Sequence, residues 1–222
     1  LTLLILDVLS PFLISFLVIS LQPLTIIWRK SIIEKAKRKR AQFKDLVVIG
    51  ITGSYGKTST KEFLVTILSQ KLNVLSTKEH QNSEIGISRC VLDELNEKNQ
   101  VFIVEMGAYQ IGDIAKICEM VGPDYSILTG INESHLERFG SLENIVKGKF
   151  ELPERTKKIS FVNFDDENIK NNLEKFKTGE YVKVSADAAT AVNIKENFGG
   201  LEFVYENEKF FTKLLAEHNI VL

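Results

Sequence analysis

Cysteine is scarce in this sequence, and the two present, Cys90 and Cys118, are isolated from each other and from any histidine at metal-ligand spacing. A disulfide framework and a thiolate metal site are both excluded, leaving two small apolar residues expected to be buried in a reducing compartment. No internal repeat or low-complexity tract is present, so solenoid and disordered-chain architectures do not apply. Nor does one sign of charge dominate, since 28 Lys and Arg stand against 29 Asp and Glu. A broadly basic surface of the kind that grips nucleic acid is therefore missing, and no nucleic-acid partner is expected. Acidic residues are nearly absent from Leu1 to Trp28, where Asp7 is the one charge.

What is there is uneven. The apolar segment 1–28, densest from Phe12 to Trp28, is long enough to cross a hydrocarbon core as a helix. It is followed by Arg29, Lys30, Lys35, Lys37, Arg38, Lys39, Arg40 and Lys44, opposed only by Glu34. Cations placed directly after an apolar span mark its cytoplasmic flank and suit anionic lipid, and Trp28 falls where an interfacial aromatic belongs. A transmembrane segment at 1–28 and a basic, helical juxtamembrane linker at 29–45 are the expectation; Ser15, Ser20, Gln22 and Pro23 leave a re-entrant hairpin or a buried helix open. On that reading a chain starting at Lys44 would be soluble. Both chain ends, Leu1 and the apolar run Asn219 to Leu222, look cut.

From residue 46 onward strands and helices alternate. Strands are predicted near Leu46–Ile49, Asn73–Ser76, Val101–Val104, Tyr125–Leu128 and Ile159–Val162, with helices at Thr60–Gln70, Ile85–Glu97, Asp113–Met120 and Leu142–Leu152 between them. This spacing implies an α/β domain with a mainly parallel sheet covered on both faces. The short apolar runs between Tyr181 and Leu215, broken at Gly199-Gly200, predict antiparallel strands at an edge of that sheet.

The chemistry concentrates in Thr52-Gly53-Ser54-Tyr55-Gly56-Lys57-Thr58-Ser59, set between the first buried strand and a helix. Successive backbone N–H groups and the helix dipole can hold an anion there, Lys57 can reach the terminal phosphates of a nucleotide, and the Thr58 hydroxyl can ligate Mg²⁺. Ile51 stands where the general phosphate loop has its first glycine. Glu105 follows four apolar strand residues, which puts its carboxylate at the carboxyl end of a strand, where it can support the same cation.

These segments together resemble the central ATP-binding domain of the Mur ligases. The resemblance rests on Thr52 to Ser59, then Asn82-Ser83-Glu84-Ile85-Gly86-Ile87, Val104-Glu105-Met106-Gly107-Ala108, His135-Leu136-Glu137-Arg138-Phe139-Gly140-Ser141, Lys147-Gly148-Lys149-Phe150-Glu151, Asn163-Phe164-Asp165-Asp166 and Leu215-Ala216-Glu217-His218-Asn219. It covers residues 46–222. Within the family it is similar to the branch that adds D-Ala-D-Ala to a UDP-muramoyl peptide by way of an acyl phosphate, in peptidoglycan precursor synthesis at the inner face of the bacterial membrane.

The resemblance implies ATP and Mg²⁺ as cofactors. It assigns Lys57 and the loop amides to the β- and γ-phosphates, Thr58 and Glu105 to one Mg²⁺, and His135 to a second. Lys149, preferred to Lys147, would be the family's carbamylated lysine; Asn82 would lie near the phosphates and Asn219 near adenine. Two positions depart from the pattern, with Gly130 where the family usually has asparagine and Asn132 where it usually has glycine. The family's UDP-sugar domain does not precede the phosphate loop, and its carboxy-terminal domain does not follow, so this chain alone is expected to bind nucleotide weakly and not to complete catalysis. Three alternatives stay open: a membrane-anchored poly-γ-glutamate synthase, a phosphate-loop kinase, and a non-catalytic nucleotide-binding membrane module.

Overall fold

The computed structural model describes residues 2–176, 179–185, 192–197, 200–205 and 208–212, with side chains from residue 9 to 185. Asn219 and the Leu215–Asn219 signature lie outside the described residues. Six strands form one sheet: β1 (Val47–Thr52), β2 (Val74–Ser76), β3 (Val101–Glu105), β4 (Tyr125–Leu128), β5 (Ile159–Asn163) and β6 (Glu180–Val184), in the order β2-β3-β1-β4-β5-β6. Every pairing in it is parallel. β3, flanked on both sides and covered on both faces, is buried at all five positions, which is why its sequence is an unbroken apolar run up to Glu105.

The connecting helices are α2 (Lys57–Leu68), α3 (Glu84–Glu94), α4 (Asp113–Val121), α5 (Leu136–Phe139), α6 (Leu142–Glu154) and α7 (Glu167–Lys170). Local chemistry sets several of their starts: Ser83 accepts from the Gly86 N–H, Ser141 from Asn144 and Asp166 from Ile169. Helix α2 packs Leu64, Val65 and Leu68 against Ile51, Val101 and Ile103 on one face, while the larger core on the other face gathers Val48, Phe102 and Val104 with α3, α4 and α6. Beside α2 an apolar cavity of about 520 Å³ opens toward β4 and β5, lined in part by Phe63, Ile67, Ile127 and Phe161.

The antiparallel strands are found, though not at the expected edge. Tyr181–Val184 belong to β6, which pairs in parallel with β5. The later runs form β7 (Val192–Asn197), β8 (Gly200–Tyr205) and β9 (Glu208–Thr212), an antiparallel sheet of their own. Tyr181 and Val182 supply a short strand long enough for the β5 ladder, and pairing rather than composition decides its direction.

Ahead of the sheet lies one helix, α1 (Thr2–Ala41), which joins the apolar segment to the basic one without interruption. Its second half is more than a linker. Ala36 is fully buried in the main core, Ile33 packs against it, and Arg40 is 8% exposed with its guanidinium donating to the carbonyls of Phe43 (2.8 Å) and Leu46 (3.3 Å). Lys39 Nζ donates to Leu92 O at 2.8 Å, tying α1 to the end of α3. The boundary between the exposed apolar part of α1 and the folded domain therefore lies near Arg29, not at Lys44. Removing residues 1–28 is expected to leave thermal unfolding unchanged. Removing 1–43 exposes the face that Ile33 and Ala36 cover, and at about 1.5–3 kcal/mol per large apolar side chain should lower the midpoint by about 10 °C. Circular dichroism melts of the two shortened chains check this, and equal midpoints would show that α1 adds nothing to the fold.

A phosphate loop with a buried carboxylate and two converging lysines

The loop between β1 and α2 is held from below by the next strand's exit. Thr129 donates its backbone N–H to Thr52 O (3.0 Å) and its hydroxyl to Tyr55 O, and Ser54 N donates to Gly130 O at 2.7 Å. Gly56, with φ of 76°, makes the left-handed turn from which α2 starts, a conformation other residues adopt at a cost. Lys57 opens α2 and folds back over the loop, its Nζ donating to Gly53 O at 2.8 Å and Ser54 O at 3.5 Å. Burial lowers its pKa, partly opposed by Glu105. Thr58 and Ser59 stand exposed in the first turn of α2.

Glu105 is 6% exposed at the end of β3 and is the hub of the site. One carboxylate oxygen accepts from the Thr58 hydroxyl at 2.9 Å, and the other from the Asn82 amide at 3.3 Å. Lys61, one turn beyond Lys57 and 1% exposed, places its ammonium 3.7 Å from Glu105 Oε2 while donating to Thr77 O at 2.8 Å. A buried carboxylate without such a partner would cost several kcal/mol, so Lys61 is the partner that balances and aims Glu105. Sequence reading passed over Lys61; its i+4 spacing from Lys57, which places both on one helix face, is the signal that finds it.

A hydroxyl and a carboxylate 2.9 Å apart are the hard oxygen donors that Mg²⁺ prefers. Among the described residues no group of three or more His, Cys, Asp or Glu side chains converges, so nucleotide phosphates and water would complete the cation's shell.

Lys149 lies on α6 at 3% exposure. Burial first, then repulsion from Lys57, lower its pKa from 10.5 to about 7, against an opposing pull from Asp113. Lys147 instead faces solvent and pairs with Glu143 at 2.7 Å. Glu151, two residues from Lys149, turns the other way and accepts from the Gly112 and Ala115 N–H groups at the start of α4. The Lys-x-Glu spacing thus joins a site lysine to a helix cap. His135 precedes the short helix α5. It takes a left-handed φ of 64°, is exposed, and meets the Tyr109 ring edge-on at 5.1 Å, with the Arg138 guanidinium 4.4 Å from the same ring. No hydrogen bond or ion pair joins His135 to Glu105 or Lys149 among the described residues. Cys90 and Cys118 are free and buried, and burial pushes both thiols up to about 12.

A model of the Mur ligase middle domain matches residues 51–221. The chain belongs to the Mur ligase family. It is 29% identical over 177 residues to the UDP-N-acetylmuramoyl-tripeptide--D-alanyl-D-alanine ligase of Bacillus subtilis, covering 78% of this chain and 38% of that protein. To the enzyme of the same description from Escherichia coli it is 34% identical over 185 residues, covering 78% and 40%. The crystal structure of MurF ligase from Thermotoga maritima in complex with ADP superposes with a TM-score of 0.74 at 27% identity, over 87% of this chain and 46% of that one. The chain therefore spans about two fifths of the length of the curated relatives it matches.

Against the Mur ligase pattern, the departure at Gly130 has a structural cause. A Cβ at Gly130 would run into the Tyr55 ring at Cζ, Oη and Cε1. The tyrosine occupies the space that a side chain at 130 would need. Its hydroxyl donates to Asp166 Oδ2 at 2.8 Å, and the same oxygen accepts from Ile131 N at 2.9 Å. Burial and Asp166 push the Tyr55 phenol up to about 12, keeping it a donor. Asn132 ties back to the loop through its backbone, its N–H donating to Ser54 Oγ at 3.1 Å.

Proposed function

We propose that this chain is the nucleotide-binding core of a membrane-attached, ATP-dependent ligase of peptidoglycan precursor synthesis, which joins D-Ala-D-Ala to a muramoyl peptide. The reaction class fits two transfers. A peptide carboxylate oxygen attacks the γ-phosphorus of ATP, the bond to the ADP oxygen breaks, and an acyl phosphate forms. The dipeptide amine then attacks the acyl carbon, a C–N bond forms, phosphate leaves, and the amine gives up a proton.

Lys57 and the loop N–H groups hold the phosphates in line, and Thr58 with Glu105 would hold Mg²⁺, which neutralises charge on the transferring group. Asn82 and Lys61 keep Glu105 in position. Lys149 as a carbamate would present an anion toward the cation-rich end of the site, and His135 would hold a second Mg²⁺. The observation that carries the reading is a buried Lys149 beside Lys57. A phosphate-loop kinase has Lys57, Thr58 and Glu105 in common but no use for a second, buried lysine. The apolar half of α1 supports the membrane attachment in this reading: Phe12, Phe16, Ile19 and Leu24 are 62–71% exposed, and basic turns follow directly after them.

Phosphate release by the full-length protein tests the reading. Release is expected with a muramoyl tripeptide and D-Ala-D-Ala, and not when glutamate replaces the dipeptide. Release with glutamate alone as the amine would make it a polyglutamate synthase.

A further inference from the structure

The course of α1 relative to the strands decides which edge of the sheet faces a membrane held by that helix. Helix α3 leaves β2 at the carboxyl edge of the sheet and returns to the amino end of β3, so it runs antiparallel to the strands. Helix α1 runs beside it in the same direction. Arg29 lies with Ser83 and Glu84 at the start of α3, while Lys39 bonds Leu92 near its end. Traced backwards from Arg29, α1 leaves the domain at the carboxyl edge, the edge that carries the phosphate loop and Glu105.

Beyond that point the helix is bare. Residues 9–28 are all exposed, and at 1.5 Å per residue they rise about 30 Å, the thickness of a hydrocarbon core. Trp28 and Arg29 then mark the headgroup level. A cavity of about 180 Å³ lies at this level, lined by Arg29, Ser83, Glu84, Gly107, Tyr109 and Asp113. Its floor adjoins the nucleotide site, because Gly107 packs against Asn82, whose amide donates to Glu105. Only residues 42–46 separate α1 from β1, so the element directly ahead of the phosphate loop is this helix.

We propose that the nucleotide-binding edge of the domain faces the bilayer and that the peptide carboxylate it activates is carried on a membrane lipid, delivered at headgroup level past Arg29 and Tyr109. The proposal rests on the ligase and membrane readings above. A lipid-borne substrate carries its phosphate linkage at the depth of Arg29, where a guanidinium binds phosphate oxygens in bidentate fashion. Its peptide extends away from the lipid, toward Tyr109 and Glu105. A soluble carrier would have to enter between domain and bilayer.

Two measurements on full-length protein in nanodiscs containing phosphatidylglycerol test this. In the first, a fluorophore on Tyr109→Cys should be quenched by headgroup-nitroxide lipid far more than one on Lys98→Cys, in the exposed turn at the opposite edge; Cys90 and Cys118, being buried, stay unlabelled. Equal or reversed quenching overturns the orientation. In the second, phosphate release is compared for a muramoyl tripeptide on a polyprenyl diphosphate in the same discs and on soluble UDP, each with D-Ala-D-Ala. The lipid-borne form should have kcat/KM higher by about tenfold or more, and Arg29→Gln should raise KM for that form alone. Preference for the soluble form overturns the proposal. Release with neither defeats the ligase reading and the carrier preference with it, and the quenching pattern still decides the orientation.

Discussion

Replacing Lys57 with alanine is expected to reduce nucleotide-dependent phosphate release by roughly a hundredfold or more, the usual cost of losing a cation aimed at a transferring phosphoryl group. Lys57, half-buried over the loop, is the cation left to meet phosphate, since Lys61 is committed to Glu105 and Thr77. The substitution should leave the fold intact, because Lys57 Nζ bonds only loop carbonyls and its charge is disfavoured by burial. It has a second effect. Lys57 helps to hold down the pKa of Lys149, so its removal lets Lys149 regain a proton. Phosphate release, with a thermal melt as the folding control, checks the expectation; near wild-type turnover would refute the phosphate-loop assignment.

Activity is expected to depend on dissolved CO₂ through Lys149. Carbamate forms only on a neutral amine, and a folded-state pKa near 7 instead of 10.5 makes the neutral form dominant above about pH 7. At fixed dissolved CO₂, turnover should therefore fall as pH drops through 7 and recover above it. Stripping CO₂ should lower the rate at any pH in that range. Lys149→Ala should be nearly inactive, with partial rescue by a small carboxylic acid that fills the vacated space. Lys147→Ala should behave as wild type, because Lys147 faces solvent. Full activity in Lys149→Ala would remove the carbamate from the mechanism.

Which of these two lysines is buried was legible in the sequence. Lys149 follows Ile145 by four residues and Val146 by three, placing it on the apolar face of α6, while Lys147 pairs with Glu143 on the other. The five strands from residue 46 to 163 were legible because each is a short, largely apolar run between polar turns, and the buried β3 could have no other pattern. Direction and partner were not. Val182 and Val184 say strand, but only the β5 ladder says parallel. The docking half of α1 was hidden because its contacts pass through Ala36 and the stems of Lys39 and Arg40, residues that read as a charged, solvated linker. Of the site, Lys57, Thr58, Asn82 and Glu105 come together as expected. What was not legible is the setting of His135, because the left-handed turn and the Tyr109 contact that fix it have no sequence period.

Tyr55 and Gly130 share one volume between two side chains, and this constrains how the loop can change. Asparagine introduced at 130 meets the tyrosine ring, while a small residue at 55 alone opens a void and leaves Asp166 without its phenol donor. Each substitution alone is expected to cost stability, because the two side chains compete for one space. A double-mutant cycle should therefore show strong coupling, with Tyr55→Ala and Gly130→Asn together costing less than the sum of the two apart.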